Sequence, residues 1–168
     1  MIQIRNGSFE TNSSSVHVLV IPKENPIDIP NEVILTGGEW GWSPGIEQDT
    51  INYFYQACLD RGPKYVTRFI KFLKKNGVNN IVVDPISWHT TDYKGNPLDE
   101  DEYWPDCEGS IDHSGCVPVD ELFADEEMLI KFLFGTRSFI ETGNDNSDNC
   151  PEEEGYDKNK FDVFEKGN

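Results

Sequence analysis

The chain has 168 residues, 36% of them hydrophobic and 12% aromatic, and its 31 Asp and Glu against 14 Lys and Arg give a formal net charge of −17. That length suits one hydrophobic core rather than two, and the aromatic content excludes a chain disordered throughout, because disorder requires low hydrophobicity as well as charge. The sign of the charge disfavours direct contact with nucleic acid, phosphate or anionic membrane and favours basic protein surfaces and cations.

The imbalance is not spread evenly. Residues 1–83 hold 8 acids and 8 Lys or Arg, whereas residues 84–168 hold 23 acids and 6 Lys or Arg, so the whole excess belongs to the second half. The opening Met-Ile-Gln-Ile-Arg has no basic stretch followed by an apolar run, and no later segment approaches bilayer-spanning length. A cytoplasmic location is the expectation, with Cys58, Cys107, Cys116 and Cys150 as reduced thiols.

In chain order, residues 2–5 and 16–21 read as strands. Val16-His17-Val18-Leu19-Val20-Ile21 is β-branched and apolar on both faces, the pattern of a central strand, and Gly7 to Ser15 would join the two in a long hairpin loop. Val33 to Thr36 reads as a short strand, and the Gly- and Trp-rich stretch from Gly37 to Gly45 as a loop. The spacing of Ile46, Ile51, Phe54, Tyr55, Cys58 and Leu59 predicts a helix over 46–59, ended by Arg61-Gly62-Pro63. A second helix follows over 64–75. Its Lys64, Arg68, Lys71 and Lys75 share one face, opposite Val66, Phe69, Ile70 and Leu73, as a solvated stripe or a partner for the protein's own acidic half.

Asn80 to Asp84 reads as a buried strand, and residues 89–118 as an irregular acidic segment. Asp120 to Phe134 predicts a third helix, interrupted near Ala124, and Ser138 to Glu141 a last strand. The expected fold class is α+β: a small mixed or antiparallel sheet packed on one side by about three helices, within a single domain at residues 1–146. Residues 147–168 would form an acidic mobile tail, with Phe161, Val163 and Phe164 as candidates for docking back.

The most distinctive string is Phe9-Glu10-Thr11-Asn12-Ser13-Ser14-Ser15 leading into His17. Ser15 and His17 share a strand face and lie within side-chain reach, which admits a serine nucleophile with a histidine base. The bland alternative is that the hydroxyls satisfy loop backbone while His17 is a hydrogen-bonded core residue. The run Ile-Arg-Asn-Gly-Ser-Phe-Glu-Thr-Asn-Ser-Ser-Ser-Val-His-Val-Leu resembles the N-terminal signature of a family of uncharacterised proteins encoded by bacteriophages and mobile elements. The resemblance covers about the first twenty residues and implies no catalytic role. It implies a context in which small acidic proteins inhibit host machinery, anti-CRISPR proteins and DNA mimics among them.

Cys107, His113 and Cys116, spaced Cys-x5-His-x2-Cys, are soft donors suited to a structural zinc, but reduced thiols and a surface imidazole are the plainer reading, so no cofactor is the expectation and that zinc its alternative. The acid runs Asp99-Glu100-Asp101-Glu102 and Glu152-Glu153-Glu154 lack the glycine and the closing glutamate of a calcium loop. With Asp106, Glu108 and the aromatic Tyr103 and Trp104 they present carboxylates and rings to a groove built for DNA. Asp84, His89 and Asp92 carry the residue types of a divalent-metal site, with a turn-capping acid as the plainer alternative. No phosphate-binding glycine loop or zinc-protease motif occurs. The leading expectation is therefore an acidic inhibitor of a basic, nucleic-acid-binding host protein. The runner-up is a small metal-dependent hydrolase or nucleotide-binding protein using the loop from Ser13 to His17.

Overall fold

The computed structural model describes residues 15–40, 44–106, 109–111, 117–144 and 155–166. Strand β1 (Ser15–Pro22) runs through the middle of an antiparallel sheet whose order is β10-β1-β9-β4. Its neighbours are β9 (Phe139–Asn144) and β10 (Phe161–Lys166), with Leu19 opposite Ile140 on one side and Phe164 on the other. The two apolar faces foreseen for this strand are both covered. Leu19 and Ile21 enter the main core with the helices, while Val16, Val18 and Val20 pack against Phe139, Tyr156, Phe161 and Val163 on the reverse face. The N-terminal strand and loop expected over residues 2–14 lie outside the described residues.

Strand β4 (Gly45–Glu47) pairs with β9 at the opposite edge of the sheet, which corrects the helix start expected at Ile46. Sheet pairing overrides the helical spacing there and leaves Ile46 62% exposed. Helix α1 (Thr50–Leu59) begins only where Asp49 caps it, its carboxylate accepting the Asn52 N–H at 3.1 Å. Helix α2 (Pro63–Lys75) follows a turn at Gly62, whose φ of 102° lies in the region that favours glycine, with Pro63 suited to the first helical position.

The interruption expected near Ala124 is real. Helix α3 (Val119–Ala124) stops at Asp125, whose side chain accepts the Met128 N–H at 3.0 Å and so starts α4 (Glu126–Phe134). The core closes on α1: the Phe54 ring meets Phe69 of α2, Phe123 of α3 and Phe132 of α4 edge-on, with centroids 5.3, 5.2 and 6.3 Å away.

Smaller ribbons decorate this body. Strands β2 (Glu32–Leu35) and β5 (Asn80–Val83) pair in parallel, and β3 (Glu39–Trp40) pairs with β8 (Ser110–Ile111). β5 is not the buried strand that its Ile-Val-Val run suggests, because within its ribbon it pairs only with β2; its residues alternate exposed and half-buried, and Val82 is 44% exposed. The segment expected as a tail also contributes more than expected, since Phe161, Val163 and Phe164 dock as part of edge strand β10. Among the described residues no helix is long and apolar enough to cross a membrane.

Candidate functional site

The acidic stretch that lacks helical or strand periodicity folds as an antiparallel arm. In it β6 (Ser87–His89) pairs with β7 (Trp104–Asp106), Ser87 opposite Asp106 and His89 opposite Trp104. Farther out the Leu98 N–H donates to the Thr90 carbonyl at 2.9 Å and Thr91 bridges Pro97. The tip is a turn built by Asp92, whose carboxylate accepts the backbone N–H groups of Lys94 and Asn96 and the Asn96 side-chain amide, each at 2.8 Å. Those bonds, led by the Asn96 amide, hold the Asp92 carboxyl below its usual range.

At its base the arm is anchored by Trp88, half-buried against the main core, and by a 3-10 turn (Glu100–Glu102). Glu102 accepts the Asp99 N–H at 3.1 Å, and Glu100 faces Lys64 of α2 at 3.7 Å. Two large rings remain open to solvent: Tyr93 at the tip is 90% exposed and Trp104 is 45% exposed. The His89 ring stacks on Trp104 with centroids 5.2 Å apart, and its Nε2 lies 3.7 Å from the Asp106 carboxylate. Residues 84–106 hold seven Asp or Glu and one Lys. The arm thus carries acids at its tip and its base together with two exposed aromatic rings.

Three of the four cations of the α2 stripe lie within ion-pair reach of the protein's own acids. On α2, Arg68 lies 3.9 Å from Asp120 and Lys75 lies 2.6 Å from Glu126, so these two residues of the stripe pair with acids of the second half, the sharper of the two readings of its spacing. Arg68 also donates to the Phe123 carbonyl at 3.3 Å and covers the Phe123 ring at 4.1 Å from its centroid. A nucleic-acid contact through this face would have to displace those partners.

Of the residues singled out in the sequence, Asp99, Glu100, Glu102, Tyr103, Trp104 and Asp106 come together on the arm. Tyr103 is half-buried, so Trp104 is the more open ring of that pair. Asp101 belongs to the 3-10 turn, with its side chain outside the described set, and Glu108, Glu152, Glu153 and Glu154 lie outside the described residues. The sequence reading passed over Tyr93, although the Asp-Tyr-Lys-Gly-Asn string around it is a turn signal that puts its side chain at a tip.

The Ser15 and His17 pair sits elsewhere. His17 is 2% exposed on the helix-facing side of β1, with its Nδ1 3.3 Å from the Tyr53 hydroxyl of α1. This is the geometry of a core histidine, with little surface open to a substrate. The Ser15 side chain lies outside the described residues, as do Cys107, His113 and Cys116, so the zinc reading falls on residues without a described position. Cys58 is buried in α1 and burial pushes its thiol well above the usual value, which keeps it a neutral core group. Among the described residues, no group of three or more His, Cys, Asp or Glu is arranged to hold a metal ion, and Asp92 is taken up by its turn. Comparison with protein families, with curated proteins and with solved structures finds no significant match to this chain.

Proposed function

We propose that this protein is a non-enzymatic, phage-type interaction protein that inhibits a nucleic-acid-binding host protein, such as a CRISPR effector, by seating its acidic arm on that protein's basic surface. The observation that carries the reading is the arm itself, where Trp104 and Tyr93 are exposed in a stretch holding seven acids, while Arg68 and Lys75 of α2 face the protein's own acids. Carboxylates spaced along an extended ribbon offer a basic groove what a phosphate backbone offers it, and exposed rings offer it what bases do. Charge would set the encounter rate and choose the partner, and the tryptophan would supply the anchor, since interface energy concentrates in a few large side chains.

The test is affinity capture from a nuclease-treated bacterial lysate, with elution by a salt gradient. Wild-type protein should retain a nucleic-acid-processing protein that leaves at moderate salt, because exposed charges are screened beyond about 8–10 Å at ordinary ionic strength. A variant with Asp99→Asn, Glu100→Gln, Asp101→Asn and Glu102→Gln should fold normally and capture nothing. Equal capture by that variant would remove the segment from Asp99 to Glu102 from the contact.

A further inference from the structure

A second site lies on the reverse face of the sheet, away from the helices. Where β1 ends and β9 begins, a cleft of about 600 Å³ is lined by Lys23, Glu24, Arg137, Phe139, Lys160 and Phe161 among others. The volume falls within the range of small-molecule pockets. Sheet register explains the placement. Phe161 lies opposite Pro22 and Phe139 opposite Val20, and alternation turns all four toward the same side. Both phenyl rings are half-buried, and Phe161 is braced edge-on by Tyr156 at 5.8 Å.

Among the lining residues cations outnumber acids, the reverse of the whole molecule. Lys23, Arg137 and Lys160 stand against one lining acid, Glu24, in a chain of net charge −17. Two neighbouring acids offset the two lysines: Asp162 lies 3.9 Å from Lys23 and Asp157 lies 3.6 Å from Lys160. The Lys23 ammonium also donates to the Lys158 carbonyl at 2.7 Å, which fixes it at the edge of the cleft. Arg137 is the least committed of the three. Among the described residues its backbone N–H donates to the Asn25 side chain at 3.0 Å, and the residue lines the cleft.

We propose that this cleft binds a nucleoside phosphate, the phosphate held by Arg137 and Lys160 and the base lying against Phe139 and Phe161. A guanidinium fork suits a phosphate better than a point charge does, and flat rings accept any base because every base has a π-face. A mononucleotide is favoured over a strand. At ordinary ionic strength a small anion feels chiefly the charges within about 8 Å, whereas a polyanion meets the whole acidic surface. This site is independent of the arm, and its test needs no partner protein.

The experiment is calorimetric titration of the full chain with ADP, with AMP, inorganic phosphate and adenosine run as parts of the same ligand. Saturable binding is expected for ADP, tighter than for phosphate or adenosine alone. Arg137→Gln should weaken it roughly tenfold or more, the scale of a lost charge-assisted hydrogen bond. Phe161→Leu should weaken it several-fold while both variants keep the wild-type unfolding midpoint. Absence of saturation in the low millimolar range, unchanged affinity in both variants, or binding of a single-stranded oligonucleotide without binding of ADP would each overturn the assignment.

Discussion

Replacing Phe54 by alanine tests the packing on which everything else is mounted. The ring has no exposed surface and touches one aromatic from each of the other three helices. Phe→Ala in a core costs about 3–5 kcal/mol, and three edge-on pairs, each adding about 0.5–1.5 kcal/mol beyond area, place this site near the upper half, about 4 kcal/mol. With a urea slope of about 2 kcal/mol per molar, typical of a small domain, the midpoint should fall by about 2 M with the slope unchanged. Phe54→Leu keeps most of the volume and loses the ring edges, so it should cost about 1–2 kcal/mol. Unfolding followed by tryptophan fluorescence and by far-ultraviolet dichroism reads both. A midpoint shift under about 0.5 M for the alanine variant, or equal losses for leucine and alanine, would refute the placement of this ring at the junction of the helices.

Tyr156 supplies a pH test. Its phenol donates a hydrogen bond to the Glu141 carboxylate, and burial, followed by that bond, raises its pKa well above the usual value. The folded state therefore favours the neutral phenol: this contribution is complete below the unfolded pKa of about 10, and is lost as pH rises through the higher folded value. Urea midpoints should fall more steeply above about pH 10 in the wild type than in Tyr156→Phe, and equal slopes would contradict the bond. On α2, Arg68 is half-exposed, yet its ring contact and carbonyl bond reach α3. Arg68→Ala should cost about 1–2 kcal/mol, against about 0.5 kcal/mol or less for Lys75→Ala, whose exposed pair with Glu126 should count for nothing in high salt; chemical denaturation by urea with and without added salt separates the two.

What the sequence made legible follows from which forces act locally. β1 was readable because a strand covered on both faces must be apolar on both, and the α3–α4 break because Asp125 interrupts an otherwise helical run. The start of α1 was not, because Ile46 fits the helical period, and only pairing with β9, about a hundred residues away, shows it to be a strand residue. The exposure of β5 had the same origin. An apolar run does not say how many neighbours a strand will find. The arm's acids and Trp104 could be singled out by composition, but their arrangement depends on the register of Ser87 with Asp106 across the excursion. The reverse-face cleft had no sequence signal at all, since Lys23, Arg137 and Lys160 are scattered along the chain and only the strand order brings them together.

Whether the arm takes the place of nucleic acid is measured directly by competition. A fluorescently labelled oligonucleotide is bound to the captured partner, and its anisotropy is followed as this protein is added. Release of the oligonucleotide to completion is expected. Trp104→Ala should need at least tenfold more protein, the effect of removing an interface anchor worth roughly 2 kcal/mol. Formation of a ternary complex with the oligonucleotide still bound, or release by Trp104→Ala at the wild-type concentration, would contradict that role of the arm.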